Sequence, residues 1–242
     1  MTAGDAPPLQ VIHVNRSVAA AGSRFTLHID RFDVNQGDRV AVVGPSGCGK
    51  STMLALLSLA LRPDNGDRLA LAGTDALALW RQNRGDSLAA LRAGSIGFVP
   101  QTGALLPFLT LGENILLPQR ILNRREPRRA AELAERLGIA AILGRKPGAV
   151  SVGQRQRAAV ARALAHRPAI VLADEPTASV HPAQADDILA LLIDSATEDG
   201  AAVVITTHDA PRAAAAGYAI APCAPDEDGV QTRFRWPPLG AE

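Results

Sequence analysis

The sequence predicts an α/β protein with a parallel or mixed sheet that is covered by helices on both faces. Short apolar runs typical of buried strands alternate along the chain with stretches of helical periodicity. One of these runs ends in a glycine-rich loop that leads directly into a helix. Apolar residues make up 47% of the 242 residues and aromatic residues only 3%. This composition excludes a disordered chain and disfavours an all-β sandwich.

The N-terminal quarter contains three predicted strands and one helix. Residues 9–14 and 25–30 are predicted strands, and in the second one apolar side chains alternate with polar ones, as in a half-buried strand. Arg39–Val43 is short and apolar enough to be buried on both faces. The helix is predicted over 50–61, because the residue before Pro63 disfavours the helical conformation.

The rest of the chain alternates in the same way. Further strands are predicted at Ile96–Val99, 169–173 and 202–206. Helices are predicted within 111–143, with interruptions at prolines and a glycine, and at 154–166, 188–196 and 210–216. The C-terminal segment is rich in proline and is expected to be partly irregular.

The order of these elements predicts one domain, spanning residues 1–242, with an insertion. The stretch 104–157 is mostly helical and separates two sheet-forming parts, 1–103 and 158–242. We therefore expect a helical subdomain inserted into one α/β core.

Composition also limits the functions that the chain can have. The net charge is +1, which argues against a general nucleic-acid binder that works by bulk electrostatics. The two cysteines, Cys48 and Cys223, are far apart and indicate a reducing compartment, not a disulfide framework. Residues 1–8 have no features of a secretory signal, and no apolar run approaches the roughly 18 residues that span a bilayer. Any membrane role is therefore expected to require a partner.

The glycine-rich loop matches the pattern G-x-x-x-x-G-K-[ST] of a phosphate-binding loop. It comprises Gly44, Pro45, Ser46, Gly47, Cys48, Gly49, Lys50, Ser51 and Thr52. Its glycines allow successive N–H groups to point at a phosphate, and the following helix adds its positive end. Lys50 would contact the β- and γ-phosphates, and the Ser51 hydroxyl suits Mg²⁺. Cys48 occupies a free position and is interpreted as a small spacer, with a redox role as the alternative.

Polar side chains also follow three predicted strands. Asp174 ends one strand and can hold Mg²⁺, usually through water, while Glu175 can orient or deprotonate an attacking water. Gln101 and His208 follow two other strands. Because ligands of open α/β sheets bind beyond the carboxyl ends of the strands, we expect all four side chains to lie near the glycine-rich loop.

Ser151 precedes the helix predicted at 154–166 and is a natural N-cap. The exposed N–H groups of such a helix start can bind an anion. An ordinary capped helix would have the same sequence, so the residues alone leave both interpretations open.

Taken in this order, these motifs resemble the ATP-binding subunit of an ABC transporter. The glycine-rich loop resembles Walker A, the strand ending at Glu175 resembles Walker B, and Gln101 and His208 resemble the Q-loop and the switch histidine. Ser151, Gly153 and Gln154 fall in a segment similar to the family signature. The resemblance implies a P-loop NTPase (RecA-like) core with a mixed sheet, an N-terminal antiparallel β portion and the helical insertion.

The resemblance also implies cofactors, partners and residue roles. ATP and Mg²⁺ would be bound; Lys50, Gln101, Glu175 and His208 would act in catalysis, and Ser51, Gln101 and Asp174 would hold the metal. Two copies would stack head to tail, so that the signature of each meets the γ-phosphate bound by the other. Membrane permease subunits would dock in a groove beside Gln101. No nucleic-acid partner is expected, and the subunit would lie on the cytoplasmic face of the cell membrane.

Within the family, the lipoprotein-release and macrolide-export branch is the most similar. The stretches 98–101, 105–107 and 111–115 carry this similarity. It favours export, or extraction of a lipoprotein or lipid, with a homodimer of this subunit. A soluble ABC-type ATPase acting on nucleic acid or ribosomes is one alternative. The stretch between Gln101 and Ser151 is too short for the coiled-coil insertions of DNA-repair relatives, and translation-factor relatives carry two such domains.

Three departures from the family pattern support a second alternative, a module that binds ATP with little turnover. Val152 stands where the signature usually has glycine, and a β-branched residue resists a positive φ. His181 stands where an aspartate usually bridges the two copies. No aromatic residue lies between Arg16 and Gly22, where the family places a ring beneath the adenine; Phe25 or His13 are candidates to replace it.

A cluster of basic residues lies in the predicted helical subdomain. It consists of Arg124, Arg125, Arg128 and Arg129. We expect a solvated helix face, with contact to anionic lipid headgroups as the alternative.

Overall fold

Two five-stranded sheets organise the structure, a computed structural model that describes residues 7–20 and 23–237. The strands are β1 (Leu9–Ala20), β2 (Ser23–Val34), β3 (Arg39–Val43), β4 (Arg68–Leu71), β5 (Thr74–Asp75), β6 (Ile96–Val99), β7 (Ile170–Asp174), β8 (Ala202–Thr207), β9 (Ala219–Pro222) and β10 (Gln231–Trp236). One sheet has the order β6-β7-β8-β3-β9 with every pair parallel. The other has the order β10-β2-β1-β4-β5, in which only the pairing of β10 with β2 is parallel.

Eight α-helices surround and connect these sheets in the described part of the chain. They are α1 (Lys50–Leu57), α2 (Ala76–Arg81), α3 (Gly85–Ser95), α4 (Leu111–Ile121), α5 (Pro127–Arg136), α6 (Val152–Leu164), α7 (Pro182–Thr197) and α8 (Ala210–Ala215). Short 3₁₀ turns lie at Ala140–Ile142 and Pro147–Ala149. Over the described ranges, no helix has the length and apolar character needed to cross a membrane.

The parallel sheet is buried on both faces, and β7 shows how. Ile170 and Leu172 point into a cluster shared with the other sheet and with α1, whereas Val171 and Ala173 point into a cluster formed with α4, α6 and α7. All four residues are fully buried. Successive residues of a strand point to opposite faces, so a strand covered on both sides must be apolar throughout. This burial fixes the register of the sheet and hence the place where β7 ends, at Asp174.

Most predicted elements are present, with different ends. The first hairpin is longer than predicted, because β1 and β2 pair over almost their whole length. Helix α1 ends at Leu57, four residues early, and the predicted boundary at residue 157 falls inside α6. The C-terminal segment is more regular than expected, since it contributes β9 and β10. Most of segment 1–8, the hairpin residues 21–22 and Pro238 lie outside the described residues.

One member of the expected basic cluster is not on the surface. Arg129 is only 4% exposed, and its guanidinium is paired with Asp199, which is equally buried. The other Asp199 oxygen accepts a hydrogen bond from Arg167 Nη1 at 2.7 Å. The expectation of a solvated face is therefore wrong for Arg129, whose charge links α5 to the segment that follows α7.

Substitution of Asp199 by asparagine is expected to destabilise the protein. The change leaves Arg129 buried without a counter-charge, and breaking a buried pair in this way costs about 3–5 kcal/mol. Urea unfolding of Asp199→Asn would measure the loss. The matched control is Glu198→Gln, which removes the exposed pair with Arg136 and should change stability by less than about 1 kcal/mol. Equal effects of the two substitutions would contradict this account.

Candidate functional site

The glycine-rich loop connects β3 to α1, as its spacing predicts. Gly47 has a φ of 85° and Gly49 a φ of 98°, values that residues other than glycine rarely adopt. The chain can therefore curl tightly before α1 begins at Lys50. The loop lies beyond the carboxyl end of a buried parallel strand, and the helix presents its unpaired N–H groups to it.

The loop begins in direct contact with the end of β9. A Cβ atom on Gly44 would lie 1.9 Å from the carbonyl oxygen of Cys223, so no larger residue fits. Cys48 and Cys223 are both buried here, and the Cys223 thiol lies 3.5 Å from the Cys48 carbonyl oxygen. Burial raises the pKa of the Cys223 thiol to about 12, which keeps it protonated at neutral pH. The burial of Cys48 itself favours its packing interpretation over a redox role.

The Lys50 ammonium is held inside the loop. Its Nζ donates hydrogen bonds to the carbonyl oxygens of Gly44 at 2.7 Å and Pro45 at 2.9 Å. The same nitrogen lies 3.8 Å from Glu175 Oε1. A positive charge is thus positioned among the backbone groups that are able to surround a phosphate.

Asp174 joins three elements through hydrogen bonds. Its Oδ2 accepts from the Ser51 hydroxyl at 3.2 Å, and its Oδ1 accepts from Thr206 Oγ1 at 2.7 Å. Thr206 lies directly opposite Asp174 in the pairing of β7 with β8. Carboxylate and hydroxyl oxygens thus converge at one point, which is the donor chemistry that Mg²⁺ prefers.

The protein alone does not enclose a metal ion at this point. Within the described residues, no group of three or more His, Cys, Asp or Glu could hold one. Mg²⁺ characteristically takes one or two carboxylates and completes its shell with water and substrate phosphates. Ser51 and Asp174 therefore fit a magnesium ion that arrives with a phosphorylated substrate.

Glu175 adopts a φ of 42°, which is uncommon for a residue with a side chain. Its backbone N–H donates to Thr206 Oγ1 at 3.0 Å and to the Thr206 carbonyl oxygen at 3.1 Å, and these bonds hold the unusual conformation. The carboxylate lies between two nitrogens, since Oε1 faces Lys50 Nζ and Oε2 lies 3.8 Å from Nδ1 of the exposed His208. Glu175 can accept a proton from a water bound in this space.

Gln101 completes the arrangement at the end of β6. It lines the same cavity of about 440 Å³ as the loop residues and the two carboxylates. Its backbone carbonyl accepts a hydrogen bond from the Ser179 hydroxyl at 3.3 Å. The structure thus brings Lys50, Ser51, Gln101, Asp174 and Glu175 together, with His208 beside them.

The signature-like segment lies elsewhere. Ser151 caps α6: its hydroxyl accepts from Gln154 N–H at 3.2 Å, and Gln154 Oε1 accepts from Ser151 N–H at 3.0 Å. Neither residue, nor Gly153, is among the described residues that line the cavity. Val152 is the first residue of α6 and does not have a positive φ, so the strain expected there is not found.

Two residues that bear on the site, Thr206 and Val18, are not identified as such from the sequence. Thr206 holds both Asp174 and Glu175, and Val18 lines one end of the cavity beside Phe25. Aligning the two predicted parallel strands would have placed Thr206 beside Asp174. Phe25 was one of two candidates for the base contact, and the other, His13, lies in a different cavity, paired with Asp67.

Comparison with known proteins agrees with this geometry. The family described as ABC transporter matches residues 27–178. The ABC transporter ATP-binding protein YxdL of Bacillus subtilis (strain 168) is 38% identical over 205 residues, which cover 83% of this chain and 77% of that protein. The lipoprotein-releasing system ATP-binding protein LolD of Novosphingobium aromaticivorans is 40% identical over 209 residues, covering 84% and 90%.

Solved structures show the same similarity. The dimeric structure of a post-hydrolysis state of the ATP-binding cassette MJ0796, bound to ADP and Pi, matches with a TM-score of 0.77 and 31% identity. The match covers 93% of this chain and 96% of that one. A second dimeric structure of MJ0796, described as a bacterial ABC transporter cassette, gives a TM-score of 0.76 at 30% identity. The chain therefore belongs to the ABC transporter family, as an ATP-binding and ATP-hydrolysing cassette.

Proposed function

We propose that this cassette powers a transporter that extracts or exports a lipid-linked substrate, and that it does so as a magnesium-dependent ATPase. The main support for ATP hydrolysis at this site is the position of Glu175. Its carboxylate lies 3.8 Å from both Lys50 Nζ and His208 Nδ1, at the mouth of a phosphate-binding loop. This is the arrangement needed to activate water beside a terminal phosphate.

Each residue of the site has a proposed part in hydrolysis. The loop N–H groups and Lys50 bind the β- and γ-phosphates, and Glu175 takes a proton from the attacking water. His208, beside Glu175, and Gln101, in the wall of the cavity, orient the water and the γ-phosphate. Ser51 and Asp174 would hold Mg²⁺, with Gln101 as a further ligand. The ion, when bound, offsets the negative charge that builds on the phosphate oxygens.

One of the two partners that we propose is another copy of this chain. Ser151, Gly153 and Gln154 do not line the cavity of their own chain, and the solved relatives include dimeric cassettes. In a head-to-tail dimer, the start of α6 would meet the γ-phosphate bound by the partner. The helical φ of Val152 supports turnover over the alternative of an inactive binding module, because no backbone strain opposes such a contact.

A groove between α3, α4 and α6 supports a membrane permease as the other partner, although Gln101, beside which the groove was expected, is not among its described lining residues. It has a volume of about 400 Å³, and its wall includes Phe98, which is 37% exposed, and Ile121, which is 62% exposed. Exposed apolar side chains around a groove are typical of a protein–protein contact. With several relatives named as lipoprotein-releasing ATP-binding proteins, we infer a permease of that type and a location on the inner face of the cell membrane.

Replacing Glu175 by glutamine is expected to separate binding from hydrolysis. Glu175→Gln should lower kcat by about 10²–10⁴-fold, the usual contribution of a general base. It should still bind ATP and elute as a dimer in gel filtration with ATP present. Lys50→Ala is the contrasting variant and should lose ATP binding as well. Hydrolysis at the wild-type rate by Glu175→Gln would contradict the assignment.

Removing the Thr206 hydroxyl is expected to impair the same step indirectly. Thr206→Val deletes the hydrogen bonds to Asp174 Oδ1 and to Glu175 N–H without changing the side-chain shape. Since hydrogen bonds to charged groups contribute about 1.5–3 kcal/mol, kcat should fall at least about tenfold. ATP affinity without Mg²⁺ should be unchanged, and Thr206→Ser should restore the rate. Failure of serine to restore it would show that packing, and not the hydroxyl, is important.

A charge placed in the groove is expected to uncouple the cassette from its permease. Ile121→Asp should preserve folding and basal ATPase activity, because the side chain is mostly exposed, but should abolish co-purification with a co-expressed permease. Val230→Asp, at an exposed aliphatic residue outside the groove, is the matched control and should co-purify normally. Co-purification of both variants would place the permease contact elsewhere. ATPase activity stimulated by DNA or ribosomes, and not by a permease, would favour the soluble alternative.

A further inference from the structure

The segment from the end of α4 to the start of α5 carries a local excess of positive charge. Residues 114–131 contain five arginines and a single acidic residue, Glu126. Arg129 is buried and paired with Asp199, so its charge is balanced inside the protein. The other four side chains are exposed and are called here the arginine surface, which consists of Arg120, Arg124, Arg125 and Arg128.

The chain does not neutralise the arginine surface. Within the described ranges, none of its four guanidinium groups takes part in an ion pair. The carboxylate of Glu126 is turned to a residue outside this surface, since its Oε2 accepts a hydrogen bond from Arg167 Nε at 3.3 Å. Glu113, at the other end of α4, is engaged in the capping box with Thr110. Positive charge that is not balanced within the chain attracts an anionic partner.

The backbone that carries these arginines is held in place by Gln119, which is only 1% exposed. Its Nε2 donates to the carbonyl oxygens of Ala165 at 2.7 Å and Glu126 at 3.2 Å, and its Oε1 accepts from the Glu126 N–H at 2.8 Å. The Gln119 carbonyl oxygen also accepts from the Arg124 N–H at 2.9 Å. The turn between α4 and α5 is thus fixed to the end of α6, so binding a ligand there requires little ordering of the backbone.

A small crevice lies within the arginine surface. It has a volume of about 120 Å³ and is lined by Leu116, Gln119, Arg120, Arg125 and Pro127. Because the amide of Gln119 is occupied by backbone groups, the crevice combines an apolar lining with two guanidinium groups. The planar fork of donors on a guanidinium suits phosphate oxygens. An apolar lining beside two such groups matches a phosphate that is attached to an apolar body.

The arginine surface continues directly from the groove that we propose for the permease. One side of α4, with Leu117 and Ile121, lines the groove. The adjacent side, with Leu116 and Arg120, lines the crevice. A permease lies in the membrane, so the surface next to its groove is the part of the cassette that lies towards the inner leaflet. Anionic lipids give that leaflet a negative surface potential, which attracts clusters of arginine.

Nucleic acid, the other common polyanion, fits this segment less well. Proteins that bind single strands combine basic residues with aromatic side chains on which the bases stack. Residues 109–136 contain no Phe, Tyr or Trp. An exposed aliphatic side chain beside basic residues, as Ile121 is beside Arg120, is instead typical of a contact with a lipid surface.

We propose that the arginine surface binds the headgroups of anionic phospholipids in the membrane that holds the permease. Arg120 and Arg125 contact a lipid phosphate at the crevice, and Arg124 and Arg128 add to the attraction around it. This proposal rests on the proposed function for the orientation of the cassette towards the membrane.

The test measures binding of the purified chain to vesicles by sedimentation. One set of vesicles contains phosphatidylcholine alone, and in the other about one third of the lipid is phosphatidylglycerol. The arginine-surface variant combines Arg120→Gln, Arg124→Gln, Arg125→Gln and Arg128→Gln. An arginine close to an anionic membrane strengthens binding about fivefold. The variant should therefore bind the anionic vesicles about 25-fold more weakly if two arginines reach the lipid, and about 600-fold if all four do.

The matched control replaces four exposed arginines outside this surface by glutamine, namely Arg24, Arg68, Arg84 and Arg235. It changes the net charge by the same amount and should bind anionic vesicles as the wild type does. Raising the salt from about 0.1 M to about 1 M shortens the Debye length from about 10 Å to about 3 Å and should release the wild-type protein. All three proteins should hydrolyse ATP at the same rate, because none of the substituted residues is in the described lining of the ATP cavity.

Three results would overturn the proposal. The first is equal binding of the wild type and the arginine-surface variant to anionic vesicles. The second is displacement of the wild type from these vesicles by glycerol 3-phosphate, which would indicate a site for a free phosphate compound. The third is a higher affinity for single-stranded RNA than for anionic vesicles.

The proposed function is tested separately by co-purification with a co-expressed permease. The arginine-surface variant should co-purify as the wild type does, and its loss from the complex would mean that these arginines contact the permease and not lipid. If Ile121→Asp co-purifies while the wild type binds anionic vesicles selectively, the groove assignment fails and the lipid contact stands.

Discussion

Two consecutive hydrogen bonds, which link Thr206 to Asp174 and Asp174 to Ser51, are the constraint on which the site depends. They join β8, β7 and α1 at the carboxyl edge of the parallel sheet. Apart from Gln101, which follows β6, the other functional side chains are close in sequence to one of these three residues. Lys50 precedes Ser51, Glu175 follows Asp174, and His208 lies two residues after Thr206. Because neighbouring positions are fixed by the same bonds, the site is formed once the three elements are in register.

The register itself depends on burial. Strands β7 and β8 are apolar on both faces, so a shift of one residue would exchange the sets of side chains that enter the two clusters. Polar residues are tolerated only where the strands end, and there they must be hydrogen-bonded. Thr206 is fully buried and meets that requirement by donating to Asp174. The need to satisfy a buried hydroxyl and the need to orient a metal ligand are thus met by the same contact.

The sequence predicted the parts of the fold in which one short-range signal dominates. Arg39–Val43 and Ile96–Val99 were located to the residue, because each is an apolar run ended by a glycine or a proline. The sequence predicts no strand or helix between Arg68 and Ser95, because the strands there are short and the two helices have weak apolar periodicity. β10 was missed because it is stabilised by pairing with β2, about 200 residues away in the sequence. Such long-range contacts leave no local pattern.

The difference between short-range patterns and long-range contacts also applies to the site, and it explains where the site departs from the family pattern. The residues around the triphosphate position follow the pattern, because their chemistry was readable from type and spacing alone. The three departures are Val152, His181 and the lack of an aromatic residue between Arg16 and Gly22. All three concern positions proposed to meet a second copy or a base. Changes at such surfaces alter affinity or coupling and leave intact the contacts among Lys50, Asp174 and Glu175. The geometry of hydrolysis can therefore be retained while the surfaces around it diverge. We expect this cassette to differ from its relatives in its affinity for the nucleotide and in the coupling between its two copies.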